Sequence, residues 1–485
     1  MTPLSFLSAN ELADLIHRRE ISSLDLTGHF IRRIEQFDDE INAVVVRDFD
    51  RALAAAAQAD KKLAGGDTIG PLHGVPVTVK DAFDVSGLAT TWGIPSLKEN
   101  IADTDAEAVR RLKRAGAVLL GKTNVPFALG DLQAYNEHYG VTNNPWDRSR
   151  SPGGSSGGSA AALAAGFSAL ELGSDMGGSI RMPAHCCGLY GHKPTWGIVP
   201  VQGHGLPGMV APLDMGVPGP MARHVEDLEL AMDVLIGPHV LDQGGWQLQL
   251  PRPAKKSIEE YRVAIWPDHE VAPVDVEISD RVVTIGETLA ELGAHISDKA
   301  LPDIDFKNSQ STYLNLMWSL TMSGATDEQY QTARQLADAI PADDMSDAAV
   351  TARARVLCHR DWLHHNNQRE QMRFAWQAFF DEWDILICPV FAVPAFAHDH
   401  SPIQKRTLEI NDEPHAYLQS MFWAGVSTLP YLPSTVFPSG LSKQGLPIGL
   451  QAIGAGYDDY TTIHFAKLLT ERIGGFQIPP AYESK

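Results

Sequence analysis

The chain predicts an α/β fold. Three observations point there: from about residue 70 short apolar strands alternate with helices across Gly/Pro turns, the same texture returns after residue 421, and 44% of the residues are hydrophobic. Residues 1–66 read as an N-terminal helical wrap. Ser8 is placed to cap ELADLIHRRE, Ser22 or Ser23 the next helix, and the alanine-rich segment 51–65 ends at Gly65-Gly66. Residues 67–240 form the core, where VPVTVKD reads as a strand and the helix DAEAVRRLKRAG feeds the strand AVLLG. Residues 241–410 read as an elaborated α/β region: RVAIW and DILICPV are strands, while ISDRVVTIGETLAELGA and AVTARARVLCHRDWLHHNNQREQM are helical. In residues 411–485, LPYLPSTVFPSG and LPIGLQAIG bring the chain back to the core sheet.

Length alone, 485 residues, would suit about three average domains. The formal charge of −21 repels polyanions, so nucleic acid is excluded as a partner and small neutral or cationic substrates are favoured. The four cysteines, Cys186, Cys187, Cys358 and Cys388, include an adjacent pair and show no metal spacing, which fits a reducing cytosol. The N-terminus lacks a basic segment followed by an apolar run, and no stretch approaches the roughly 18 apolar residues of a membrane span. A cytoplasmic protein without a membrane partner is the expectation.

The informative stretch is SPGGSSGGSAAALAAGFSALELGSDMGGSIRMPA, residues 151–184, with Gly-Gly-Ser ending at Ser155 and again at Ser179. Between them, residues 158–167 form a helix candidate of about 15 Å and residues 168–173 a strand candidate of about 17–20 Å. One element goes out and the other returns, so both serine turns can reach the same end of the unit. Asp175-Met176-Gly177-Gly178-Ser179 can also turn successive N–H groups toward one point, as an oxyanion hole does. A glycine-rich tight turn with solvated serines is the competing reading.

A serine hydroxyl attacks poorly unless a base removes its proton. Lys80, at the end of the strand VPVTVKD, can project into a partly dry site. Its ammonium is useless as a base, so burial would have to bring its pKa toward neutrality. Taken alone, a lysine there is more often a surface ion-pair partner.

These residues resemble the amidase signature family. GVPVTVKDAFDVSGLATT is similar to its lysine segment, GKTNVPF with YGVTNNPWD to its linker, and SPGGSSGGSAAALAAG with GSDMGGSIRMPA to its serine core; GHKPTWGIVP and LPIGLQAIG also fit. The resemblance covers roughly residues 70–235 and 420–455 and fades between 250 and 400. It implies a single large α/β/α domain with a mixed, twisted central sheet covered by helices. It implies that Lys80 is the base, Ser155, after a cis peptide, the relay, and Ser179 the nucleophile of an acyl-enzyme. Met176, Gly177, Gly178 and Ser179 become the oxyanion donors, with Ser156, Asp175 and Arg181 in support. The implied activity is amidase, needing neither cofactor nor metal and acting on a small-molecule amide.

Other readings compete. Gly154-Ser155-Ser156-Gly157-Gly158 matches the G-x-S-x-G elbow with Ser156 as attacker, but WDRSRSP precedes it where an apolar strand is needed. His185 or His192 would serve Ser179 in a Ser-His arrangement. His359, His364, His365, His398 and His400 suggest a metal but read better as solvated histidines. Gly203-x-Gly205-x-x-Gly208 matches a dinucleotide pattern, yet contains Pro207 and lies in no clear βαβ unit. A glutaminase-type A subunit of a tRNA-dependent amidotransferase is the alternative within the family. Against it, VPFALGDLQ follows GKTN and CPVFAVPAF stands where that branch carries other motifs. A non-catalytic binding module is disfavoured by the intact triad.

The acyl pocket is assigned to the loop 127–136 and the region 250–400. Leu129, Gly130, Leu132 and Trp318 are the expected walls, with Met317 and Tyr313 beside Trp318 on a stripe that is more often plain core. An aryl, alkyl or fatty acyl amide is preferred over a charged substrate. A homodimer is compatible with the sequence but unsupported by it.

Overall fold

The apolar runs set between Gly/Pro turns pair into one sheet of eleven strands in the computed structural model, which describes residues 2–483. Along the chain the strands are β1 (Val44–Arg47), β2 (Pro76–Lys80), β3 (Val118–Thr123), β4 (Tyr135–Asn136), β5 (Gly140–Val141), β6 (Leu170–Asp175), β7 (Tyr190–Lys193) and β8 (Val217–Ala222). They continue with β9 (Arg262–Ile265), β10 (His295–Ser297), β11 (Ile385–Pro389), β12 (Thr407–Ile410), β13 (Glu413–Ala416), β14 (Ser434–Leu441) and β15 (Pro447–Ile453). The large sheet runs β1-β3-β2-β6-β8-β7-β14-β15-β11-β9-β10, and β4-β5 and β12-β13 are separate two-stranded pairs. Its pairing is mixed: β2 is parallel to β3 and β6, whereas β6-β8, β7-β14 and β14-β15 are antiparallel.

Every residue of β2, β3, β6, β8, β11 and β15 is buried, so helices cover both faces of the sheet. The N-terminal wrap forms as its caps direct. Ser8 accepts from Glu11 N–H in a capping box, Ser22 from Asp25 N–H, and Gly66, at φ 77°, ends the helix Phe49–Gly65.

Residues 241–410 supply β9, β10 and β11 to the same sheet. Its longest polar stretch does not form one helix. It breaks at residues 355–358 into Asp347–Ala354 and His359–Glu382. The first buries Ala349, Val350 and Ala354 and the second Met372, Trp376 and Phe379; the break lets both apolar faces meet the helix Phe306–Ser319. Among the described residues, no helix is long and apolar enough to cross a membrane.

The out-and-back unit lies at the centre. Helix Gly157–Ala164 is buried throughout, β6 returns beside it, and the two Gly-Gly-Ser turns arrive at one end. Glycine is required where the helix begins, because a Cβ on Gly158 would lie 2.3 Å from the Asn124 nitrogen. We expect Gly158→Ala to lower stability by about 1–3 kcal/mol through overpacking against backbone. A urea unfolding midpoint equal to that of the parent protein would contradict this.

Candidate active site

Lys80 closes β2, all of whose residues are buried, so its side chain leaves the sheet without meeting solvent. Its Nζ lies 2.6 Å from Ser155 Oγ and 3.1 Å from Ser174 Oγ. Burial pulls the pKa of this amine down to about 7, against the attraction of Asp175 and Glu171. An amine of that kind is substantially uncharged at neutral pH.

Ser155 follows a cis peptide bond from Gly154 and is buried. Ser156 ties the two turns together: its N–H donates to the Ser179 carbonyl (3.1 Å), and its hydroxyl donates to the Ser174 carbonyl (3.3 Å). Ser179 is partly open and lines the same cavity as Ser155.

Asp175 and Arg181 fold the loop that carries Ser179. Asp175 accepts from Gly178 N–H (3.0 Å), Ile180 N–H (3.0 Å) and the Arg181 guanidinium (2.9 and 3.0 Å). Arg181 is buried and also reaches the Ala424 carbonyl, Ser427, Thr428 and Gln451. Burial works against the Asp175 charge, yet Arg181 holds the pKa down to about 2. One of the four expected oxyanion donors is lost to this pair. Gly178 gives its N–H to Asp175 and is no free oxyanion donor. Met176, Gly177 and Ser179 keep N–H groups with no acceptor among the described residues.

The serines open on a cavity of about 170 Å³. Leu129, Gly130, Leu132 and Trp318 all line it, as does Met317, while Tyr313 stands behind and donates to the Met176 carbonyl (3.2 Å). Leu213, Leu418 and Met421, which the sequence reading did not select, complete an apolar lining. Trp92 and His204 form another wall, their rings 5.3 Å apart. The cavity shares Trp92, Met176, Leu213 and Trp318 with an outer chamber of about 810 Å³. There the half-buried guanidinium of Arg355 lies over the Trp318 ring, with no ion-pair partner among the described residues.

The competing bases lie elsewhere. His185 accepts from Gly449 N–H (3.0 Å) and bonds the Val393 carbonyl (3.0 Å); His192 bonds Thr435 and Asp459. No strand leads into Ser156, so the strand–turn–helix of a nucleophile elbow is absent. The glycine pattern at 203–208 lies in the long connection between β7 and β8 rather than between a strand and a helix. Ser174 and Glu171 were overlooked although both are polar residues inside an apolar strand, which was the available signal.

The family model described as Amidase matches residues 25–463. The A chain of a glutamyl-tRNA(Gln) amidotransferase from Moorella thermoacetica is 33% identical over 96% of both chains. An indoleacetamide hydrolase from Bradyrhizobium diazoefficiens is 31% identical over 96% of this chain and 86% of its own. Among solved structures, a bacterial aryl acylamidase of the amidase signature enzymes superposes with a TM-score of 0.81 at 27% identity, covering 97% of each chain.

The Asp175–Arg181 pair can be tested by itself. Arg181→Met leaves a buried carboxylate without its cation and should cost about 3–5 kcal/mol, with part recovered on adding Asp175→Asn. Thermal unfolding measures both; a melting temperature unchanged in Arg181→Met would refute the role given to the pair.

Proposed function

The chain belongs to the amidase signature family, and from that premise we propose that it hydrolyses a carboxamide to a carboxylic acid and an amine or ammonia through an acyl-enzyme on Ser179. The observation that carries the reading is the buried Lys80 amine 2.6 Å from Ser155 Oγ. In its neutral form Lys80 accepts the Ser155 proton while Ser155 takes that of Ser179, whose oxygen attacks the carbonyl carbon. The negative oxygen of the tetrahedral intermediate is met by the free N–H groups of the 176–179 turn, Gly177 and Ser179 foremost. As the carbon–nitrogen bond breaks, the proton on Lys80 returns through Ser155 to the departing amine. Water then repeats the sequence on the ester and releases the acid.

The apolar lining supports an aryl, alkyl or fatty acyl group in the cavity. A second reading, the glutaminase-type A subunit, is favoured by the Moorella thermoacetica relative, and Arg355 offers a cation for a substrate carboxylate. The amino group of glutamine finds less. Both carboxylates lining the inner cavity are engaged, Asp175 by Arg181 and Asp131 by Arg406 and Tyr417.

A panel of acyl anilides, aliphatic amides, long-chain amides and glutamine, run beside Ser179→Ala, separates the two. We expect the purified chain alone to prefer the apolar amides and Ser179→Ala to lose at least about a thousandfold. Turnover of glutamine alone would favour the second reading, and activity surviving in Ser179→Ala would end both. The pH profile follows from Lys80: protonation removes the base, so kcat/KM should fall about tenfold per pH unit once below about 7. A flat profile down to pH 5 would contradict a lysine base.

A further inference from the structure

One buried ionisable group beside the serines has no part in the proton path. Glu171 is paired with Thr78 across β2 and β6, and Lys80, two residues along β2, is paired with Thr123 of β3. Side chains two apart on a strand share a face, so Glu171, Thr78, Lys80 and Thr123 stand together on one side of the sheet. Glu171 spans β2 to reach Thr123, whose hydroxyl donates to Oε1 at 2.6 Å and lies 2.9 Å from Ser159 Oγ. Its other oxygen, Oε2, is buried and has no partner.

We propose that Glu171 is a positioning residue that acts on the reaction through Lys80, its carboxyl setting the pH at which that amine becomes a base. The inference rests on the reading of Lys80 given above. A carboxylate with one oxygen dry and unpartnered costs several kcal/mol, so the group keeps its own proton unless the ammonium of Lys80 compensates it. Each proton therefore depends on the other, and the pair titrates as a unit.

The surroundings allow no other ionisable group to take this part. β6 packs against β2, β8 and helix Gly157–Ala164. From β2 come Thr78 and Lys80, from the helix Ser159, and from β3 beyond it Thr123; β8 sets Met221 opposite Glu171 and contains no ionisable residue. Lys80 itself faces Asp175, whose charge is held by Arg181, and its charge is felt by His204, kept neutral by burial. Burial pushes Glu171 up to about 7, with the hydroxyls of Ser159, Thr123 and Thr78 and the Lys80 charge opposing. An ionised Glu171 favours the ammonium. Its removal must make Lys80 easier to deprotonate.

The test is the pH dependence of kcat/KM on an uncharged amide for the parent, Glu171→Gln and Thr123→Val. Glu171→Gln should move the acid limb down by about half a unit to one unit, a gain of about threefold to tenfold near pH 6. The plateau above pH 8.5 should stay within about twofold, since no group that touches substrate has changed. Thr123→Val withdraws the donor that stabilises the ionised carboxyl, and should move the limb the same way by less. A limb that stays in place in Glu171→Gln, or a loss equal at every pH, overturns the proposal. If Glu171→Gln does not fold, as judged by circular dichroism, Thr123→Val decides by the same criterion. Ser179→Ala is carried alongside: activity there defeats the reading of the site, whereas its loss with an unmoved limb defeats only the role of Glu171.

Discussion

A primary amine can take a proton from a hydroxyl only if it does not already carry an extra one, and in water lysine always does near neutral pH. Everything around Lys80 bears on that constraint. Strand β2 is flanked by β3 and β6 and buried along its length, so no water reaches the Nζ that ends it. Moving a lysine from 10.5 to about 7 corresponds to about 5 kcal/mol of unfavourable charging, and the fold supplies it by desolvation. Two covered sheet faces and a sealed helix behind the serines are thus conditions for the chemistry as much as for stability.

The same interior must hold acids without handing their protons to the amine. Asp175 lies close enough to attract the Lys80 charge, but the Arg181 guanidinium meets it through two donors, and three backbone N–H groups take the rest of its capacity. The loop that presents Ser179 is therefore organised around an ion pair whose field is largely internal. Glu171 has no arginine. Hydroxyls alone surround it, which is why its charge state and that of Lys80 are tied together.

What the sequence made legible was the part written in local rules. Two Gly-Gly-Ser turns joined by an alanine-rich helix and a strand could be folded on paper, because both lengths match and glycine marks where backbones touch. Caps at Ser8 and Ser22 and the strand ahead of Lys80 were equally plain. What escaped depended on distant packing. The break at residues 355–358 carries no glycine or proline and follows from two apolar faces seeking one helix. Leu418 and Met421 reach the cavity from a segment some 240 residues beyond Ser179. The engagement of the Gly178 N–H depended on which way the Asp175 side chain turned, which no spacing reveals. Glu171 passed as one charge in a strand until the register put it beside Lys80.

Site-resolved labelling by a fluorophosphonate, followed by peptide mass spectrometry across pH, tests the central claim most directly. An adduct on Ser179, formed at a rate that rises with pH and levels off above about 7, is the result expected of a serine activated through a neutral buried lysine. An adduct on Ser156, or a Ser179 labelling rate indifferent to pH between 5 and 9, would contradict it.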